Sequence, residues 1–419
     1  MSAGPLSGIR VLDFTQVIAG PFGCMMLADL GAEVIKIEPP GGEQWRVISP
    51  FMPGESKTFQ SLNRGKRSLV LKLDDPRGQE VVHRLVPAID VVVTNFRPDV
   101  PARLGIDYPT LRALKQDLIY IDNTAFGRRG PLALRPGYDI VVQAVTGLMV
   151  SDGKLDESGT PRPASPAIAD FATGLAIAWA VSAALFHRER SGEGQLVESS
   201  LLATALAIQG GSVMENPAAD TQRNPLREKR RQMQAEGAPF PELLAVQRPP
   251  GGGLYYRAFR TRDGMVAIGA LSKRLREKVR AAVGTDFLGR DDPDFDLYDP
   301  RFRERSQAAT SEVEETIAKK TTAEWLEIFE REGVPAGPVN FPDDMSEDPQ
   351  VLANDLIVEV EHEASGPQKM VGPVLKFSSS RAEVHAASPV LGAHTDLYLR
   401  EAGFDEAEIA ELRREGVVA

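Results

Sequence analysis

The chain has 419 residues, enough for two or three domains with ample buried core. Its 42% hydrophobic and 26% charged content are ordinary for a globular protein, and a net charge of −11 argues against a nucleic-acid partner. One cysteine, Cys24, excludes an intrachain disulfide and suits a reducing, cytoplasmic setting, and the five histidines are too scattered to give metal-ligand spacing, so no metal site is expected.

Met1 to Arg10 lacks the basic and apolar regions of a signal peptide, and the longest apolar run, Phe171 to Phe186, falls short of a membrane span. No membrane partner is therefore expected. Ile9 to Phe14 reads as a strand, Thr15 to Pro21 as a loop, and Phe22 to Leu30 as a helix stopped by Gly31. Glu33 to Ile37 is a second strand, ending at Glu38. A unit of this kind opens a parallel α/β sheet. Glu38 stands where dinucleotide-binding folds keep a ribose-binding acid. The loop Ile18-Ala-Gly-Pro-Phe-Gly23 lacks the G-x-G-x-x-G that lets a backbone approach a pyrophosphate, which counts against an NAD-dependent dehydrogenase.

Lys66 to Leu73 is a strand with basic residues at its start, Asp75-Pro76 begins a helix to Leu85, and Ala88 to Thr94 is the next strand. It ends in Asn95-Phe-Arg-Pro98 and then Arg103-Leu-Gly105; Leu118 to Asn123 is a further strand, followed by the loop Gly127 to Pro136. This alternation predicts a doubly wound, Rossmann-like sheet. Arg97 and Arg103 follow the carboxyl end of a strand, where such folds bind ligands and where paired arginines suit phosphates or form a solvated basic rim.

Tyr138 to Met149 reads as a helix leading to Pro166-Ala-Ile-Ala-Asp-Phe-Ala-Thr-Gly-Leu175. Asp170 stands alone there before the apolar run. It reads either as the N-cap of a helix beginning at Phe171 or as a placed nucleophile, since Asp forms acyl intermediates when a site orients it. Ser191-Gly-Glu-Gly194 is a turn, and Gln195 to Gln209 is strand and then helix. The polar stretch Asn216 to Arg231 reads as linker, and Arg248-Pro-Pro-Gly-Gly-Gly253 as a loop with wide backbone freedom. Tyr255 to Leu271 suggests a hairpin, followed by helices at Lys273–Val283, Ser311–Lys319 and Ala323–Glu332; Ile357 to Glu361 and Lys369 to Phe377 are later strands, and Glu406 to Glu415 a terminal helix. The expected organisation is a large α/β domain from 1–210, a linker at 211–247 and a smaller α+β domain at 248–335. Residues 336–419 form a return connection and the C-terminal part of the large domain.

Several motifs occur together in order: Leu6-Ser-Gly-Ile-Arg-Val-Leu-Asp-Phe14, Gly31-Ala-Glu-Val-Ile-Lys-Ile-Glu38, Asn63-Arg-Gly-Lys-Arg-Ser68, Asn95-Phe-Arg-Pro98, Ala169-Asp-Phe-Ala-Thr-Gly174, His187-Arg-Glu-Arg-Ser-Gly-Glu-Gly-Gln195 and Leu391-Gly-Ala-His-Thr395. With them the chain resembles the class III (family III) CoA-transferases, the group of formyl-CoA transferase and carnitine CoA-transferase. The resemblance implies a ring-shaped subunit in an interlocked homodimer. It also implies coenzyme A as co-substrate, with no permanently bound cofactor.

The resemblance further implies that Asp170 is the catalytic aspartate and that CoA lies near Val17, Lys72, Asn95, Phe96, Arg97 and Arg103. Ile18 faces the acyl group, Tyr138 and Asp139 belong to the same site, and Gly251, Gly252 and Gly253 occupy the place of a glycine lid. The reaction implied moves CoA from an acyl-CoA to a carboxylic acid through an aspartyl mixed anhydride and an aspartyl-CoA thioester. Formyl-CoA transferase has glutamine in place of Ile18, arginine in place of Pro39 and four lid glycines in place of three, which makes formate and oxalate poor candidates. The competing reading is an α-methylacyl-CoA racemase. The racemases this chain resembles use a histidine where it has Tyr138, and an ordinary tyrosine, with a pKa of about 10, is a poor base at neutral pH. A non-catalytic CoA-binding protein is the third reading.

Overall fold

The alternation of short apolar strands and helices resolves, in the computed structural model, into one parallel sheet; the structure describes residues 4–221, 223–247, 253–296 and 299–419. Its six strands are β1 (Arg10–Asp13), β2 (Glu33–Glu38), β3 (Arg67–Val70), β4 (Val91–Thr94), β5 (Ile119–Thr124) and β6 (Leu196–Ser200), in the order β3-β2-β1-β4-β5-β6. This is the doubly wound order, and it reverses between β1 and β4. Alternate residues of each strand bury on opposite faces. Leu12, Ile35, Leu69, Val92 and Tyr120 meet the helix Pro76–Leu85 and the C-terminal helices on one side. Val11, Val34, Val91, Val93, Ile119 and Ile121 meet Cys24, Leu27, Ile177 and Val181 on the other. Cys24 is fully buried in that second cluster, where burial pushes its thiol up.

Two helices cover the second face: Ala19–Asp29 and the long helix Ile168–Ser191. They approach closely because small residues face each other. A Cβ on Gly23 would stand 2.8 Å from the Gly174 carbonyl oxygen, and one on Gly174 would stand 2.8 Å from the Ala19 carbonyl oxygen. The long helix exceeds the apolar run within it. With 24 residues, it is long and apolar enough by length and composition alone to cross a membrane, and its Ile177, Val181 and Ala184 pack into the core of the sheet.

The chain forms two units, one of residues 1–154, 161–215 and 348–419, the other of residues 155–160 and 216–347. The C-terminal helices Thr395–Glu401 and Glu406–Arg414 close the large unit by burying Tyr398, Leu399, Ile409 and Leu412. Residues 211–247, read above as a linker, instead carry the helices Arg223–Ala235 and Phe240–Gln247. The smaller unit does not end at 335. The strand Ala336–Pro338 pairs with Met265–Gly269, itself paired with Tyr256–Arg260, and this sheet keeps the chain in the smaller unit to residue 347. Gly251 and Gly252 lie outside the described residues; Gly253 belongs to the smaller unit.

Candidate active site

Where β1 and β4 part, the loops after them line a cleft of about 280 Å³. Its walls include Gln16, Val17, Asn95, Phe96, Arg97, Asn123, Tyr138 and Asp170. The first loop is held residue by residue. Lys36 Nζ donates to the Thr15 carbonyl at 2.8 Å. The Asn95 carboxamide accepts from the Gln16 N–H at 3.0 Å and donates to the Gln16 carbonyl at 2.8 Å. Glu43 Oε2 accepts from the Val17 N–H at 2.9 Å. Val17 has a φ of 73°, a left-handed conformation that costs a β-branched residue about 1–3 kcal/mol and persists only when its surroundings over-determine it.

Beneath the loop lies a buried ionic network. Lys66 Nζ donates to Asp13 at 2.8 Å, and the Asp13 carboxyl, though buried, is held down at about 2 by Lys66 and Lys36. Burial alone lowers the Lys36 ammonium, yet Glu43, Asp13 and Glu38 around it raise it overall. Glu38 is fully buried, and both its oxygens accept from Arg46, at 2.7 and 3.0 Å. It is therefore occupied within the fold rather than free for a ribose. The basic run Asn63-Arg-Gly-Lys66 is likewise internal: Arg64 pairs with Asp29 at 2.6 Å and Lys66 with Asp13.

Asp170 does not cap its helix. The helix begins two residues earlier, at Ile168, and Asp170 lies in its first turn. The capping carboxylate comes from a distant segment: Asp139 Oδ1 accepts from the backbone N–H groups of Ala169 and Asp170, at 2.9 and 3.2 Å. Asp139 opens the helix Asp139–Thr146, and its other oxygen accepts from Gln143, whose Oε1 takes the Ala164 N–H at 2.8 Å. The Asp170 side chain is thus left to the cleft. Burial pushes its carboxyl up to about 7, the Asp139 charge adds to that, and the Ala19 backbone N–H opposes it. A carboxylate poised near neutrality, with a helix N-terminus behind it, has the character of a nucleophile. The backbone N–H after it donates to the Ala167 carbonyl at 3.0 Å, so it is engaged within the helix.

The family model for CoA-transferase family III matches residues 6–395. The chain belongs to CoA-transferase family III. Human succinyl-CoA:glutarate CoA-transferase is 33% identical to this enzyme over 99% of the chain and 90% of the relative. The probable fatty acyl-CoA transferase Rv3272 of Mycobacterium tuberculosis is 34% identical over 95% of the chain and 98% of the relative. A crystal structure of Rv3272 superposes with a TM-score of 0.74, covering 95% of this chain and all of that one at 32% identity. The protein is thus an acyl-CoA:carboxylate CoA-transferase of mixed α/β fold.

Of the residues singled out in this family III enzyme, Val17, Asn95, Phe96, Arg97, Tyr138 and Asp170 share the cleft, with Asp139 buried behind Asp170. Ile18 lies between Val17 and Ala19 as the residue preceding the first helix but is not among the lining residues. Lys72 and Arg103 are exposed outside the lining. The side chain of Asn95 binds the Gln16 backbone, so its visible work is to shape the loop. Tyr138 is half-exposed and its hydroxyl donates to Gln44 Oε1 at 3.2 Å. The sequence reading missed Gln16, Gln44, Asn123, Gly137 and Leu201 as lining residues. Gln16 and Gly137, next to Val17 and Tyr138, and Asn123, at the carboxyl end of a predicted strand, had local signals.

Proposed function

We propose that the enzyme transfers CoA through covalent intermediates on Asp170. The Asp170 carboxylate attacks the carbonyl carbon of the donor thioester, the C–S bond breaks, and CoA leaves as thiolate with a mixed anhydride on Asp170. The thiolate then attacks the aspartyl carbon and releases the donor acid as its carboxylate, leaving an aspartyl-CoA thioester. The acceptor carboxylate attacks that thioester to form a second anhydride and free the thiolate again. Thiolate attack on the acceptor's acyl carbon gives the new acyl-CoA and restores the Asp170 carboxylate. The observation that carries this reading is an aspartate pushed up to about 7 in a cleft at the switch point of the sheet, its helix capped from elsewhere.

In this scheme CoA is the co-substrate and no cofactor is permanently bound. The CoA phosphates and adenine lie near Val17, Lys72, Asn95, Phe96, Arg97 and Arg103, Ile18 faces the acyl group, and Tyr138 and Asp139 belong to the same site. Succinyl-CoA and glutarate, the pair in the human relative's name, are the first pair to assay. The test is to incubate the enzyme with succinyl-CoA, add hydroxylamine and look by peptide mass for a hydroxamate on Asp170. Turnover without any trapped aspartyl adduct refutes the scheme.

The working form is a homodimer, interlocked as in the family, in the cytoplasm. Its support is an apolar stripe on the long helix. Ile168, Leu175, Trp179 and Phe186 recur at intervals of seven, four and seven, all on one helical face, and all are exposed, Trp179 at 76%. A second copy is the occupant that would cover it. Light scattering on dilution is expected to show no folded monomer; a stable monomer refutes the interlock.

A further inference from the structure

Four consecutive residues after β1 are each tied down by a different group, and one tie stands out. Thr15, Gln16 and Ile18 are held by Lys36, by Asn95 and by the ordinary helical bond from the Phe22 N–H. None of these three has a positive φ. Val17 is held left-handed at a φ of 73°, and the group on its N–H is Glu43. Glu43 is 1% exposed. Its Oε2 accepts the Val17 N–H, and its Oε1 has no hydrogen-bond partner, lying 4.0 Å from Lys36 Nζ. Burying a carboxylate with one oxygen unsatisfied is costly, so the bond it makes to Val17 is the contact to explain. Glu43 is also the residue before the helix Gln44–Val47, and Gln44 lines the same cleft and accepts from the Tyr138 hydroxyl.

We propose that Glu43 is a positioning residue: its carboxylate holds Val17 in the left-handed conformation and thereby fixes the Gln16–Ile18 loop and the Ala19 N–H against Asp170. The inference rests on reading Asp170 as the nucleophile. Without the Glu43 oxygen, Val17 relaxes to a negative φ, and the backbone that faces the Asp170 carboxylate turns with it. Nothing in the sequence around Glu43 marks it for this role. The residue it controls is 26 positions earlier.

The test uses Glu43→Ala, Glu43→Gln, Val17→Gly and the double variant Glu43→Ala/Val17→Gly, assayed with succinyl-CoA and glutarate. Glu43→Ala is expected to lower kcat by about tenfold to about a hundredfold, more than it raises KM, as a misplaced reacting group does. Glycine adopts a positive φ without steric cost, so the double variant is expected to recover most of that loss. Glu43→Gln keeps an oxygen for the Val17 N–H and is expected to stay within about fivefold of wild type. A role confined to the buried ionic network gives no rescue by glycine. A double variant no faster than Glu43→Ala, or an equal loss in Glu43→Gln and Glu43→Ala, overturns the proposal. A crystal structure of Glu43→Gln or Glu43→Ala reads the Val17 φ without reference to turnover. A positive φ retained in Glu43→Ala also overturns the proposal, whatever Asp170→Asn does to activity.

Discussion

Replacing Asp170 by asparagine is expected to stabilise the enzyme while removing its turnover, and the size of the stabilisation depends on pH. Burial and the Asp139 charge carry the Asp170 carboxyl from an ordinary 3.8 to about 7. The native state therefore keeps a proton, between pH 4 and pH 7, that the unfolded chain has already lost. Stability falls as pH rises through that window, and above it the native state bears the full cost of an ionised, buried carboxylate. At about 1.4 kcal/mol for each tenfold in proton affinity, that cost reaches about 4 kcal/mol. Asparagine has no charge to desolvate and keeps the shape. It gives up the attraction between a carboxylate and the helix N-terminus, about 0.5–1 kcal/mol. A net gain of about 3 kcal/mol is expected at pH 8, which for a domain of this size raises Tm by on the order of 5 °C. At pH 4 both side chains are neutral and the gain disappears. Thermal or urea unfolding of the two proteins at pH 4 and pH 8 measures it, alongside transfer from succinyl-CoA to glutarate. Wild-type kcat/KM is expected to rise with pH through about 7, because the ionised carboxylate is the attacking form. A variant less stable than wild type at pH 8, or equally stabilised at both pH values, refutes the burial argument. A variant with near-wild-type transfer refutes the nucleophile.

Asp139→Asn keeps an oxygen for the Ala169 and Asp170 N–H groups but removes a like charge, so the rise in wild-type activity is expected to move to lower pH; an unmoved profile shows that the Asp139 charge does not reach Asp170. Gly174→Ala brings a Cβ within 2.8 Å of the Ala19 carbonyl oxygen, and pushing the two helices apart is expected to cost about 1–3 kcal/mol and most of the activity, read by unfolding and turnover. Arg97→Ala and Arg103→Ala are each expected to raise KM for the CoA thioester about tenfold, the loss of one charge-assisted hydrogen bond to phosphate. Unchanged KM in both makes them a solvated rim, for which the exposed Arg97–Asp99 pair at 3.0 Å would then be the whole explanation.

Local pattern was enough for the sheet. The runs at Arg10–Asp13, Glu33–Glu38, Val91–Thr94 and Ile119–Thr124 are short segments with apolar β-branched or leucine residues at their centres, alternating with helices, and such alternation packs into a parallel sheet through right-handed crossovers. Asp170 drew attention as a lone carboxylate before an apolar run, but that pattern fits a helix cap equally well, and it was the family resemblance that pointed to a nucleophile. Its surroundings were not legible. The local pattern left open whether Asp170 caps its own helix; in the structure Asp139 does that work from 31 residues away. The same holds for Glu43 and Val17, for Asn95 and Gln16, and for the burial of Glu38 against Arg46. The boundary near residue 347 was equally hidden, since the three-residue strand Ala336–Pro338 is defined only by the strand it pairs with. Propensity and periodicity are properties of neighbours in the chain, and they decide which segments become strands and helices. Which charge meets which buried N–H is decided only when those segments pack, because a buried polar group must find its partner wherever the fold puts one.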